Sequence, residues 1–335
     1  MEFPLEHFRV VSYLNVERLA ETARTIILMP LWDGDKWHLW LPNMEGRLVE
    51  VAVPDTIEGD YLATAPARDY DFFIPFVHLM WQRASWPEIC PFISAICDDF
   101  HNMGTSVAKL KHMFDFRDKL PRGAGGRFAW TELEYLIILS RSVFDLLQET
   151  IASIWSSRVR LLEPALEARR RAVKLPKTFS RMVLRDKKEL RTSDEIENEY
   201  GVPRALAQRY ESAAPFFSQL RDHRDSVLHG LGTGRYVFAT ERGFCVDPKQ
   251  RPFSSFDGWL PEYHYNENIV SLLPWIAYTI LGTIDACNSL LDAFSSIIQF
   301  PPDIAPGYQV FIRGPYAEAF VRVVQVNSGA SPWWG

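Results

Sequence analysis

Cysteine is scarce in this chain of 335 residues, which holds only Cys90, Cys97, Cys245 and Cys287. Four cysteines over such a length form no disulfide framework, and no pair has the Cys-x2-Cys or Cys-x4-Cys spacing of a zinc site. We therefore expect a protein of the reducing cytoplasm with no metal centre. A dinucleotide fingerprint is also missing, because the glycine cluster at 121–126 follows no strand at the right spacing. We expect a linker there and no cofactor.

Long apolar runs are missing as well. The longest, residues 269–284, is interrupted by serine, threonine and proline, whereas a membrane span needs about 20 consecutive apolar residues. The first residues include Glu6 and Arg9 and show no basic stretch followed by an apolar one, as a signal peptide would. We expect neither secretion nor a membrane partner.

Apolar residues are plentiful, at 47% of the chain, with 13% aromatic residues. This composition is sufficient for a large globular core. Helical periodicity dominates after residue 69, and short strand patterns occur at 25–53, as a hairpin at 235–247, and at 308–313 and 318–326, where they could join the N-terminal sheet. We predict a mainly α fold: a helical bundle with small antiparallel β elements at the N-terminus, in the inserted hairpin and at the C-terminus.

These patterns divide the chain into four regions: a small β-rich region at 1–66, a helical connecting region at 67–128, a helical domain with the inserted hairpin at 129–299, and a C-terminal β extension at 300–335. Two places in the helical domain have the spacing of a capping box, in which a threonine caps the helix and a glutamate three residues later reaches back. We expect helices to begin after these threonines. The pairs are Thr131 with Glu134 and Thr192 with Glu195.

Positive charge is concentrated in one segment of the chain. The whole chain carries a net charge of −6, yet residues 157–191 hold twelve Lys and Arg against four Asp and Glu, a net charge of +8, so that the rest carries −14. Such asymmetry favours a local anion-binding surface, with a solvated helical face as the alternative. The basic residues that we single out as substrate contacts are Arg169, Arg170, Arg171, Lys174, Lys177 and, later in the chain, Arg221.

Residues 221–230 have the most unusual composition, with the sequence Arg-Asp-His-Arg-Asp-Ser-Val-Leu-His-Gly. On a helical wheel, Arg224 falls within the apolar stripe that contains Phe217 and Leu220. A guanidinium in such a stripe must be paired, must face an interface, or must await an anionic ligand, because an unpaired buried charge costs several kcal/mol.

His229 falls about 140° away from Arg224 on the same wheel, so that the two side chains could meet only around a cleft. It stands in the last turn before Gly230, where the negative end of the helix dipole favours the imidazolium form. Asp225, one turn earlier, could orient the ring. A polar histidine at a helix end with no further role is the alternative.

The pattern Arg224-Asp225-x3-His229 resembles the Arg-x4-His signature of HEPN domains, helical proteins named for higher-eukaryote and prokaryote nucleotide binding. The preceding long helix carries the pair Arg141-x3-Asp145, and a further long helix follows the hairpin, which resembles the order of the HEPN bundle. The resemblance covers residues 129–299. Many catalytic members carry Asn or His directly after the motif arginine, where this chain has Asp225.

The resemblance implies a metal-independent endoribonuclease formed across a homodimer, of a kind used as a toxin or in bacterial defence. Arg224 would stabilise the charge on the reacting phosphate, His229 would act as general acid or base, and Asp225 would complete the site. Attack by the RNA 2′-hydroxyl would leave a 2′,3′-cyclic phosphate. The basic segment at 157–191 would hold the RNA backbone with little reading of its sequence.

Two other interpretations stay open. In the first, the chain is a non-catalytic, dimeric HEPN-like binding module, the partner of a separately encoded regulator. In the second, Asp222, Asp225 and His229, which lie within about 60° of one another on the helical wheel, begin the site of a metal-dependent hydrolase. The same three residues would equally describe a solvated polar face.

Overall fold

The computed structural model of the protein describes residues 5–26, 28–55, 58–156, 160–161, 164–186, 189–228 and 236–334. The α-helices of these residues are α1 (Val16–Thr22), α2 (Pro75–Arg83), α3 (Cys90–Asp115), α4 (Ala124–Ser156), α5 (Pro164–Ala172), α6 (Phe179–Val183), α7 (Ser193–Tyr200), α8 (Arg204–Leu228), α9 (Leu273–Ser295) and α10 (Ala317–Asn327). The protein is therefore mainly α-helical, as its sequence predicts. Within the described ranges, no helix has both the length and the apolar character needed to cross a membrane.

The strands are short and form small sheets. They are β1 (Leu31–Trp32), β2 (Trp37–Pro42), β3 (Leu48–Val53), β4 (Gly59–Ala63), β5 (Arg160–Leu161), β6 (Leu184–Arg185), β7 (Glu189–Leu190), β8 (Phe238–Ala239), β9 (Phe244–Val246), β10 (Val270–Ser271), β11 (Ile298–Gln299) and β12 (Gln309–Arg313). The hairpin predicted at 235–247 is confirmed, since β8 and β9 pair antiparallel.

The largest sheet joins the two ends of the described chain. Its strand order is β12-β4-β1-β2-β3, in which β1 and β4 run parallel and the other neighbours run antiparallel. Every residue of β12 pairs with a residue of β4. The prediction that a C-terminal strand at 308–313 joins the N-terminal sheet is therefore confirmed.

The strand predicted at 318–326 is wrong, because these residues form α10. Phe320, Val323 and Val326 recur at a spacing of three residues, and all three are buried where α10 packs against α9 and α3. The ring of Phe320 lies over Gly104, where an added Cβ would come within 2.6 Å of it. Burial of this helical face outweighs the strand propensity of the valines.

The start of α4 also differs from the prediction. The helix begins at Ala124 rather than after Thr131, whose hydroxyl donates to the carbonyl oxygen of Phe128 at 2.7 Å. The glycine cluster predicted as a linker thus includes the first turn of α4. Glycine is required here because a Cβ at Gly126 would lie 2.1 Å from the carbonyl oxygen of Val237.

The second capping box is confirmed at the start of α7. The N–H of Glu195 donates to the Thr192 hydroxyl at 3.4 Å, and the N–H of Thr192 donates to the Glu195 carboxylate at 3.0 Å. Gly201 ends the helix with a φ of 64°, a left-handed conformation that glycine adopts without strain. The capping box marks the start of α7 and the glycine marks its end, and both signals depend only on the neighbouring backbone.

α4 is the centre of the helical part of the protein. It packs against α3, α8 and α9, and about half of its residues are buried. A single hydrophobic cluster extends from Met29 to Trp334 and includes residues from each of the four regions outlined from the sequence. The small sheet and the helices are thus held together by one continuous core.

A buried ion pair fastens the C-terminal strand to the rest of the protein. The side chain of Arg313, on β12, is 1% exposed and donates from Nη2 to Oδ2 of Asp71 at 2.7 Å and from Nη1 to Oδ1 of Asp55 at 3.0 Å. Tyr61 also donates its hydroxyl proton to Asp71, at 2.8 Å. The guanidinium lies over the ring of Trp37, 4.7 Å from its centroid. These contacts satisfy both charges without solvent.

We expect Arg313→Ala to lower the free energy of unfolding by about 3–5 kcal/mol, because it leaves the buried carboxylate of Asp71 without its cation. The measurement is urea denaturation at neutral pH. Arg18→Ala is the matched control, since the side chain of Arg18 is 59% exposed and surface ion pairs contribute about 0–1 kcal/mol. A loss for Arg313→Ala no larger than that of the control would contradict the assigned role.

A second buried carboxyl group lies between α3 and α4. Burial raises the pKa of Asp99 to about 6, the charge of Asp98 raises it too, and a hydrogen bond from Ser142 opposes the shift. Oδ2 of Asp99 has no hydrogen-bond partner in the part of the chain that the structure describes. The folded protein therefore favours the protonated acid.

This pKa makes stability depend on pH in a defined direction. In the unfolded chain Asp99 ionises near its ordinary pKa of about 3.9, so the folded state is progressively penalised as the pH rises from there towards 6. We expect Asp99→Asn to raise the free energy of unfolding by about 1–2 kcal/mol at about pH 8, since solvent screens part of the effect at this partly buried position, and to leave it nearly unchanged at about pH 4. Equal effects in urea denaturation at both pH values would contradict this.

Candidate functional site

α4 carries a buried arginine among its apolar residues. Arg141 is 6% exposed, and its guanidinium lies over the ring of Phe217 on α8, 4.4 Å from the centroid. Nη1 is 2.8 Å from Oδ2 of Asp145, one turn further along α4. Nε makes no hydrogen bond to any described residue, whereas Nη1 has the carboxylate of Asp145 within hydrogen-bonding distance. Buried donors without acceptors are costly, so this side chain is suited to receive an anion.

Two further arginines stand on the face of α8 that carries Phe217. Arg221 and Arg224 follow it by four and seven residues, a spacing that keeps side chains on one face of a helix. Burial lowers the pKa of Arg141, the charge of Asp145 opposes this shift, and the charges of Arg224 and Arg221 lower the pKa further. The charges of two guanidinium groups on α8 thus act on Arg141 across the contact between α4 and α8. We call Arg141, Arg221 and Arg224 the arginine cluster.

Two carboxylates, those of Asp225 and Asp145, accompany the arginine cluster. Oδ2 of Asp225 is 3.8 Å from Nε of Arg221, and its Oδ1 is 3.8 Å from Nη1 of Arg224, both beyond hydrogen-bonding distance. Oδ1 of Asp145 accepts the N–H of Phe179 at 3.2 Å and is thereby shared with α6. An anionic ligand at Arg224 would therefore meet a charge that Asp225 compensates only in part.

Arg224 is more open than its place in the apolar stripe predicts. Its side chain is 38% exposed, whereas Leu220, one turn earlier, is 2% exposed. The buried stripe of α8 thus stops short of Arg224, and the interpretation as a deeply buried charge is wrong. Exposure leaves its guanidinium accessible to a ligand or to a second molecule.

The second residue of the predicted catalytic pair, His229, lies outside the described residues. Of the three carboxyl and imidazole groups proposed as metal ligands, Asp222 and Asp225 are described, and His229 again is not. Within the described ranges, no group of three or more His, Cys, Asp or Glu side chains is arranged to hold a metal ion.

Arg141 is the member of the arginine cluster whose position near the motif the sequence does not predict. The sequence pairs it with Asp145 on the preceding helix, but no pattern indicates contact with Arg221 or Arg224. The signal was its isolation, since it is the one basic residue of α4 between Arg127 and the end of the helix. A lone arginine within a long apolar helix must find a partner on a neighbouring element, and here that element is α8.

Part of the basic segment at 157–191 is paired within the protein. The side chain of Arg170 is 10% exposed and donates from Nε and Nη2 to Glu167, at 2.9 and 2.5 Å, and from Nη1 to the carbonyl oxygen of Trp155, at 2.6 Å. Arg171, at 75% exposure, also pairs with Glu167. These bonds lower the pKa of Glu167 to about 2. The backbone of Arg169 lies in α5, and its side chain is not among those described.

Two lysines of the segment are exposed. Lys174 and Lys177 follow α5, and within the described part of the chain no carboxylate comes within ion-pairing distance of either. The backbone around Lys177 is tied to α4, because the carbonyl oxygen of Pro176 accepts from Nε2 of Gln148 at 2.8 Å and the N–H of Phe179 donates to Asp145. The loop that carries the lysines is thus anchored beside the arginine cluster.

Comparisons of the chain with protein-family models, with curated proteins and with solved structures give no significant match. The function must therefore be argued from the chain's own residues.

The structure separates the basic residues that maintain the fold from those that are free to contact a ligand. We expect Arg170→Ala to lower the free energy of unfolding by about 1–3 kcal/mol, because it removes three hydrogen bonds in a poorly solvated position. Lys174→Ala, its control, should change the value by less than about 0.5 kcal/mol. Chemical denaturation of both variants checks this, and equal values would show that the Glu167 pairing contributes little.

Proposed function

We propose that this protein is a metal-independent endoribonuclease of HEPN type, and that the arginine cluster binds the phosphate at which the RNA is cut. The domain at 129–299 would be the HEPN-like bundle. The observation that carries the proposal is the placement of Arg141, Arg221 and Arg224 on two packed helices, where the charges of Arg224 and Arg221 act on buried Arg141. A phosphate oxyanion would offset that repulsion and accept the hydrogen bond that Nε of Arg141 leaves unmade.

The arrangement fits the needs of phosphoryl transfer. In the proposed reaction the 2′-hydroxyl oxygen attacks the adjacent phosphorus, and the bond from phosphorus to the 5′-oxygen breaks, which leaves a 2′,3′-cyclic phosphate and a 5′-hydroxyl. Arg224, the exposed member of the cluster, stabilises the negative charge that builds up on the phosphate oxygens. His229 moves the proton as general acid or base, and Asp225 orients it.

Binding of the RNA backbone extends from the cluster onto the basic segment. Arg171, Lys174 and Lys177 are exposed, and the loop with the two lysines is anchored to α4 next to Asp145. Contacts of this kind act through charge and carry little sequence preference. We further propose that the active enzyme is a homodimer in which the exposed ends of α8 from two copies border one cleft, and that a separately encoded regulator restrains it in the cell.

The decisive test is RNA cleavage in the presence of EDTA. We expect the wild-type protein to cut RNA and to leave 2′,3′-cyclic phosphate ends that mass spectrometry identifies. Arg224→Ala and His229→Ala should each lower the rate at least about 100-fold, the range for loss of a general acid–base or electrostatic contribution. Arg18→Ala, on exposed α1, is the control and should cut like the wild type.

Folding must be checked for each variant, because a change in stability would imitate a loss of activity. Circular dichroism and thermal unfolding of Arg224→Ala should match the wild type, since its side chain is 38% exposed. Activity abolished by EDTA, together with equal losses for Asp222→Ala and Asp225→Ala, would instead indicate a metal-dependent hydrolase.

The binding-module interpretation gives a different result. It is supported if no RNA is cut under any condition while Arg224→Ala weakens RNA binding. In either case the contribution of charge can be read from the salt dependence of binding, because each lost phosphate contact lowers the slope by about one. An unchanged slope for Lys174→Ala combined with Lys177→Ala would remove the basic segment from the proposal.

A further inference from the structure

A cleft far along the chain from the motif region has the properties of a second binding site. It has a volume of about 440 Å³ and lies between α3 and α10, with Tyr70 and Tyr316 at its sides and Trp334 in its wall. This size is within the range of pockets that hold small organic molecules. None of the residues that line it belongs to α4 or α8, so it is built independently of the arginine cluster.

Trp334 is held rigidly in the wall of the cleft. Its ring packs on Gly243, where an added Cβ would lie 2.8 Å from Cδ1 of the tryptophan, and its backbone N–H donates to the carbonyl oxygen of Arg242 at 3.1 Å. The side chain is 7% exposed, and its indole Nε1–H makes no hydrogen bond to any described residue. Buried tryptophan normally finds an acceptor for this group. An acceptor oxygen of a bound ligand would supply one.

The polar side of the cleft carries more basic than acidic residues. Lys111 and His112 come from α3, and Arg322 and the acid Glu318 come from α10. Lys111 is paired with Asp115 at 2.5 Å, whereas the guanidinium of Arg322 has no carboxylate within 4.0 Å among the described residues, and it donates only to the carbonyl oxygens of Ser331 and Trp333. These two bonds fix its position at the cleft. Arg322 therefore presents a positioned positive charge that no side chain neutralises.

The walls and the charge together define the chemistry of the occupant. Tyr70, Tyr316 and Trp334 offer flat apolar surfaces, and Tyr316 is 45% exposed at the cleft and free to pack against a ring. We propose that this cleft binds a small planar aromatic molecule that carries one anionic group. The ring packs between the aromatic side chains, and the anionic group meets Arg322 and His112. Neither the ring nor the charge alone would use both features of the cleft.

The proposal is tested with the pure protein and a matched pair of probes. 2-Naphthoate has the ring and the charge, 2-naphthamide keeps the ring without the charge, and acetate has the charge without the ring. We expect calorimetric titration to give a micromolar to low-millimolar dissociation constant for naphthoate, at least about tenfold weaker binding of naphthamide, and no binding of acetate.

Variants connect the binding to the cleft. Arg322→Gln should weaken naphthoate binding at least about tenfold, and so should His112→Gln to a smaller degree, while Arg18→Gln leaves it unchanged. Because Arg322 also holds two carbonyl groups, thermal unfolding must show that its variant is folded. Lys111→Gln serves as a second variant, since the Lys111 side chain is 44% exposed; it should have little effect on the fold and give a measurable loss of affinity.

The outcomes are distinct from those of the RNA experiments. Arg224→Ala should leave naphthoate binding intact, because its helix is not part of the cleft. Naphthamide binding as tightly as naphthoate would overturn the assignment of an anionic ligand. No detectable binding of naphthoate or naphthamide at millimolar concentration, or equal affinity in the wild type and in all three cleft variants, would overturn the site itself.

Discussion

The burial of α4 on several sides is the constraint on which the rest of the structure depends. This helix contacts α3, α8 and α9, and its apolar residues supply the middle of the main core. Any polar group on its buried faces must be accommodated by a neighbour, because desolvation costs more than a single ion pair returns. Arg141 meets this demand by stacking on Phe217 and pairing with Asp145. The position of the guanidinium is thereby determined by core packing.

That arrangement explains why the arginine cluster is held in a definite position. A charge at the end of a flexible side chain loses rotamer freedom when a ligand binds, but Arg141 has already lost it in the fold. Arg221 and Arg224 stand on the helix that packs against it, so the contact of α4 and α8 sets where their backbones lie relative to Arg141.

How much of this could be predicted depends on the range of the interactions concerned. The capping box of Thr192 and Glu195 and the 235–247 hairpin were predictable, since each follows from residues a few positions apart. The helix at 318–326 was not, because its valines favour a strand and only contact with α3 and α9 selects a helix. The role of Gly126 was not predictable either. A glycine there indicates a helix break, whereas in the structure it lies within α4 and permits close packing against Val237. The sequence indicates that Arg141 is unusual, but its position near Arg221 and Arg224 follows from the packing of two helices, which local patterns do not predict.

The net charge of a segment likewise does not show which of its charges are free to bind a ligand. The basic segment at 157–191 carries a net charge of +8 in the sequence. In the structure, however, Arg170 pairs with Glu167 and donates to a backbone carbonyl oxygen, and Arg185 pairs with Glu195, which lies outside the segment. Charges that are paired within the protein release few counterions when a nucleic acid binds, so they add little to affinity. The groups that can contribute are those left exposed: Lys174 and Lys177 in the anchored loop, and Arg224 on α8. Anion affinity should therefore follow the exposed charge near the contact of α4 and α8 and not the total charge of the segment.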